Sequence, residues 1–212
     1  MARKTGTGLL AVWTGVDPEV EAEFNEWYDK EHVPERLAVP GFLSGIRYTA
    51  VEGEPKYLAL YELDDENVLK SDAYMKVSKS PTPWTQKIVK HFRNMARREY
   101  RQIFSFGNRP DKDAEFVLTV RLNTPPEHEA EFNEWYNIDH VPALVGVPGV
   151  YCARRYVALD GGSPKYLAVY KMSDAKVRNS EAWNKARDSD WTKRMRPNLL
   201  DGKSIISRRM GG

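Results

Sequence analysis

The sequence predicts an α+β chain of two tandem βαββαβ repeats, an expectation that rests on five self-matches. Laid on itself, the chain brings Phe24-Asn25-Glu26-Trp27-Tyr28 onto Phe132-Asn133-Glu134-Trp135-Tyr136, and His32-Val33-Pro34 onto His140-Val141-Pro142. Val39-Pro40-Gly41 then meets Val147-Pro148-Gly149, and Arg47-Tyr48 meets Arg155-Tyr156. After one inserted residue near Gly161-Gly162, Pro55-Lys56-Tyr57-Leu58-Ala59 meets Pro164-Lys165-Tyr166-Leu167-Ala168. Each copy far exceeds the length of a solenoid repeat, so a whole small domain has been duplicated. The copies are expected over 1–108 and 115–212, with the polar, turn-prone stretch 109–114 as linker.

Within a copy each element has a local cause. Leu9 to Trp13 and Phe116 to Arg121 are short apolar runs that read as opening strands. Asp17-Pro18-Glu19 and Thr124-Pro125-Pro126-Glu127 each supply a capping residue, an early proline and a carboxylate, which together start a helix. That helix is expected to end near His-Val-Pro, because proline disfavours the α conformation in the residue before it. Val-Pro-Gly turns the chain into a strand from Phe42 to Ala50, which forms a hairpin with Lys56 to Leu63. A second helical region follows from Asn67 to His91, broken at Ser80-Pro81-Thr82-Pro83, and its counterpart runs from Asp174 to Met195. Glu99 to Phe106 and Ser204 to Arg209 close the copies.

That order is the ferredoxin-like arrangement, with both helices on one sheet face. The other face needs cover, so the two repeats are expected to pack sheet to sheet as an intrachain α/β barrel around a cavity.

Composition excludes several function classes. The 212 residues are 41% hydrophobic with 11% aromatics, and the 29% charged content balances to a formal +2, so no global field points to nucleic acid. The basic stretch Lys87, Lys90, Arg93, Arg97, Arg98 and Arg101 reads as a solvated helix face. Cys152 is the single cysteine and no zinc-like spacing exists, which suits a reducing, cytoplasmic setting without a metal. No apolar run is long enough to span a membrane, and no signal-peptide pattern is present. The expected partner is a small molecule, with further homodimerisation possible.

Asn-Glu-Trp-Tyr followed by His-Val-Pro, present in both copies, resembles the EthD-like branch of the dimeric α/β barrel superfamily. That superfamily includes polyketide cyclases, muconolactone isomerases, quinol-forming monooxygenases and haem-dependent enzymes. The resemblance therefore implies a fold and a small-molecule cavity without choosing a reaction.

The candidate catalytic residues are His32 and His140. Imidazole exchanges protons near neutrality, and a helix C-terminus would favour its charged form. The structural alternative is a ring that merely holds the following Val-Pro turn. Candidate substrate-binding residues in the first copy are Asn25 and Tyr28 on the helix, with Arg47, Tyr57 and Tyr61 on the strands. Their counterparts are Asn133, Tyr136, Arg155, Tyr166 and Tyr170. Arg121, which replaces Trp13, joins them, and together with Thr119 for Ala11 it makes the second copy the more polar and the expected working half.

These residues suit a cofactor-independent isomerase, cyclase or lyase that moves a proton next to the carbonyl of a small apolar or aromatic compound in the barrel cavity. A non-catalytic barrel for a hydrophobic ligand is the alternative, and a haem protein ligated by histidine is a third possibility.

Overall fold

In the computed structural model, residues 5–108 and 114–211 are described. Of the expected linker, Arg109-Pro110-Asp111-Lys112-Asp113 lie outside them. The chain forms two compact units. One comprises the residues up to Ala50, Glu54–Arg101 and the chain end from Met210; the other comprises Val51–Gly53 and Gln102–Arg209.

The first unit carries strands β1 (Gly8–Val16), β2 (Phe42–Glu52), β3 (Tyr57–Leu63) and β4 (Phe92–Gly107, up to Arg101). β1 pairs antiparallel with β3 and β4, and β2 pairs with β3. The second unit repeats this with β5 (Phe116–Asn123), β6 (Val150–Ala158), β7 (Tyr166–Met172) and β8 (Leu200–Arg209), where β5 pairs with β7 and β8, and β6 with β7. Alternation along the strands sends Leu10, Tyr57, Ala59 and Tyr61 to the helix-covered face of the first sheet, where they meet Phe24 and Trp27 in a core. Leu118, Ala168 and Tyr170 do the same with Phe132 and Trp135. Among the described residues no helix is long and apolar enough to cross a membrane.

The first helix departs from expectation, because it does not stop at the histidine. α1 (Glu21–Trp27) passes through a π-helical turn (Tyr28–His32) into α2 (Val33–Leu37). α5 (Glu129–Trp135) likewise passes through Tyr136–His140 into α6 (Val141–Val145). In each, the valine N–H donates five residues back, Val33 to Tyr28 and Val141 to Tyr136. The proline then falls in the first turn of the next segment, where a missing N–H costs little. Burial of Val141 and Leu144 in the core offsets the local preference to stop.

The second helical region is a series of short pieces. α3 (Asp72–Lys79) and α4 (Pro83–Ile88) are N-capped by the Ser71 and Thr82 side chains, and α7 (Glu181–Ala186) and α8 (Asp190–Met195) by those of Ser180 and Ser189. The closing strands start earlier than expected, and most of the basic segment is not helical. Arg93, Arg97, Arg98 and Arg101 lie on β4, where Arg93 pairs with Asp17 at 2.6 Å and Arg97 with Glu99 at 2.8 Å. Those local acids let a charged stretch sit in an antiparallel sheet.

The Val-Pro-Gly turns require glycine. Gly149 has φ +93°, and an added Cβ would lie 2.7 Å from Val177 Cγ2. Gly149→Ala should therefore lower stability by about 1–3 kcal/mol in urea denaturation, the usual cost of a strained backbone position.

Candidate functional site

The structure gathers most of the sequence candidates on the helix-covered face of each sheet. In the first unit Arg47 Nη1 donates to Asp29 Oδ1 at 2.7 Å and Nη2 to Asn25 Oδ1 at 2.6 Å. Asn25 Nδ2 donates to Tyr57 Oη at 3.1 Å, and Tyr57 donates to Glu21 Oε1 at 2.8 Å. The guanidinium lies 4.3 Å from the Tyr28 ring centroid. His32 packs against Trp27 with centroids 4.4 Å apart, and its edge meets Tyr28 and Tyr61.

The second unit repeats the framework with one change of charge. Arg155 donates to Asn133 Oδ1 at 2.8 Å and to Asn137 Oδ1 at 2.6 Å, and lies 4.2 Å from the Tyr136 ring centroid. Asn133 reaches Tyr166, which donates to Glu129. Where Arg47 has the carboxylate of Asp29, Arg155 has only the neutral amide of Asn137. Burial pushes the Arg155 pKa down. In both copies the arginine's hydrogen bonds are used within the fold. Its strand neighbours, Tyr48 and Tyr156, take the opposite sheet face.

His140 packs on Trp135 with centroids 4.5 Å apart and meets Tyr136 edge-on at 5.1 Å. The buried Nδ1 atoms of His32 and His140 have no hydrogen-bond partner. Burial drives both pKa values down to about 3, reinforced by Arg36 and Arg47 at His32 and by Arg155, Arg178 and Arg187 at His140. The helix terminus expected to favour imidazolium is not there, since the helix continues past each histidine. Both rings are neutral at pH 7. They can accept a proton or a hydrogen bond, or ligate a metal, but they are not charged acids. Burial also raises Tyr28 and Tyr136 to about 12, and it puts Tyr61 and Tyr170 well above the ordinary range, so all four stay protonated.

Two adjoining cavities, of about 310 and 470 Å³, open beside His140 in the second unit. They share Val120, Tyr136, His140 and Arg187. Leu118, Leu144, Tyr170 and Trp183 give the smaller one an apolar and aromatic wall, and Arg178 adds a second guanidinium. This space lies between sheet and helices, not on the open sheet face. Arg121 is buried on that other face, away from His140, because it alternates with Val120 along β5. Sequence reasoning missed Arg178, Arg187 and Trp183. The repeat itself carried the signal, since Leu69, Ser78 and Tyr74 occupy their places in the first copy.

Asp17, Glu19 and His91 also come close enough to share an ion, but Asp17 is already engaged by Arg93 and His91.

The family model of a domain of unknown function, DUF4286, matches residues 8–105. No curated protein sequence matches the chain. Solved structures do match along nearly the whole length. A provisionally named monooxygenase from Fusobacterium nucleatum is 13% identical with a TM-score of 0.67, over 98% of this chain and 94% of that one. An anthrone oxidase-like protein is 13% identical with a TM-score of 0.66, over 99% and 93%. The chain has the dimeric α/β barrel fold. A haem-binding protein from Thermus thermophilus also matches, at 10% identity and a TM-score of 0.59, over 98% and 92%. At such identities the likeness shows this α/β barrel class and no activity.

Proposed function

We propose that the second half binds a small aromatic or apolar carbonyl compound beside His140 and transfers a proton at the carbon next to the carbonyl. The observation that carries this is the cavity, where a neutral imidazole, aromatic walls and two guanidinium groups meet. His140 takes the proton from carbon, the electron pair moves into the carbonyl, and the positive field of the arginines stabilises the resulting enolate. Return of that proton to another carbon completes an isomerisation, and a cyclase or lyase would use the same first step. No cofactor enters this scheme. The Asn-Glu-Trp-Tyr and His-Val-Pro pattern supports placement in the EthD-like branch of the superfamily.

A base with a pKa of about 3 is weak, so the arginines must lower the barrier by stabilising the enolate. That same low pKa favours a second reading, ligand binding without turnover. Haem has less support. A neutral imidazole suits iron, but two partly buried arginines and an apolar wall describe an organic ligand equally well. A Soret band on adding haem would be the sign that iron binds.

With a substrate in hand, His140→Ala should lower turnover by roughly a hundredfold or more, the range for a general acid/base, and His32→Ala by clearly less. Thermal melts of both variants separate catalysis from folding. Saturable binding without turnover over a broad carbonyl panel would replace the catalytic reading with the binding one. A larger loss in properly folded His32→Ala would move the site to the first half.

A further inference from the structure

The cavity beside His140 holds more positive charge than its surroundings balance. Arg178 and Arg187 are partly buried on its wall, and among the described residues neither has a carboxylate within ion-pair distance. Glu52 acts on Arg178 and Asp188 on Arg187 only at longer range, and the hydrogen bonds of the nearby acids go to other residues. Asp188 accepts from Arg196 at 2.8 Å, Asp139 from Ser189 Oγ at 2.6 Å, and Glu52 from Asn179 at 3.3 Å. The Arg178 guanidinium carbon lies 5.4 Å from the Trp183 ring centroid, which holds it on the apolar wall. Deeper in, Arg155 has only neutral amides as hydrogen-bond partners.

The first copy reverses this balance. Leu69 and Ser78 stand where Arg178 and Arg187 do, while Asp29 and Glu35 stand where the second copy has Asn137 and Ala143. Arg36, which acts on His32 in the first copy, has Leu144 in its place, so around one histidine the second copy exchanges one arginine for two and loses the carboxylates of Asp29 and Glu35. Unpaired guanidinium groups cost free energy in a fold, and an arriving anion recovers it through charge-assisted, fork-shaped hydrogen bonds.

Resting on the reading that this cavity holds a small molecule, we infer that it is a carboxylate site. Arg178 and Arg187 take the anionic end of an aromatic acid, and its ring lies against Leu118, Leu144 and Trp183. Lys203 takes no part through its side chain, since it pairs across the sheet with Arg121 and shares that residue's opposite face.

Benzoate and its neutral isostere benzamide test this by titration calorimetry at low salt. Benzoate should bind roughly tenfold or more tightly than benzamide, the scale of a hydrogen bond to a charged group. Arg178→Leu and Arg187→Ser, which restore the first-copy residues, should each shrink the benzoate-to-benzamide affinity ratio, and the two together should bring it close to one. Each substitution alters a partly exposed side chain, and a melt of each variant checks folding; two variants keep the test available if one fails to fold. Equal affinity for both probes would overturn the carboxylate site while leaving a small-molecule cavity. Binding of neither would overturn both.

Discussion

Trp135→Ala should lower the unfolding free energy by about 3–5 kcal/mol, the range for removing a large buried aromatic. Trp135 is 1% exposed, and its Nε1 donates to Thr192 Oγ1 at 3.0 Å. Its ring packs on Phe132, Tyr136 and His140, so truncation leaves a cavity beside the histidine and removes one of two donors to the Thr192 hydroxyl, the other being Ser189 Oγ at 3.0 Å. Denaturant unfolding measures the loss. A cost below about 1 kcal/mol would mean that the indole is not the keystone of this core. Trp27 is equivalent in the first unit but shares its N–H between Thr85 and Glu31. It ties an extra carboxylate to the core, so Trp27→Ala should cost at least as much.

Stability should fall steeply as pH drops below about 6.5, before most carboxylates titrate. His32 and His140 have folded pKa values of about 3 against about 6.5 in the unfolded chain. Between those values the unfolded state binds more protons, so stability rises with pH there. The contribution is complete above about 6.5 and is lost progressively toward 3. The slope is about 1.4 kcal/mol per pH unit for each histidine, on an order-of-magnitude basis. Glu21 and Glu129, whose pKa values are lowered by lysine partners, lose their contribution only below about 4.5. Within the window from 6.5 to 4.5 the imidazoles are opposed only by Glu35 among the groups with shifted pKa values near this range, since burial raises its pKa and favours the folded state as pH falls. Chemical denaturation of the wild type and of His32→Leu/His140→Leu across that window checks it. The double variant should show a much flatter slope, and parallel slopes would mean that the histidines are not held neutral.

The repeat, the strand order and the position of the helices were legible because each has a local cause. Short apolar runs mark β1 and β5, and Val-Pro-Gly marks a turn in both copies. The π turn was not legible. Pro34 and Pro142 read locally as helix stops, and only the packing of residues such as Val141 and Leu144 carries the helix onward. That continuation changes the chemistry expected of His140 from a charged acid at a helix end to a buried neutral ring. Asn133, Tyr136, Arg155, Tyr166 and Tyr170 could be picked out because they recur in both copies. Arg178 and Arg187 were visible only as differences between the copies, and they sit in a broken helical stretch. There the Ser180 and Ser189 caps, not periodicity, decide which way a side chain points. Arg121 misled in the other direction, as a conspicuous difference that the strand's alternation places on the far face.

Of the two histidines, His140 borders the proposed ligand site. ¹⁵N spectra of the two imidazoles during a benzoate titration test it most directly. His140 should shift saturably while His32 stays fixed, both rings beginning with the chemical shifts of neutral imidazole. Movement of His32 alone, or of neither ring at saturating benzoate, would contradict the account.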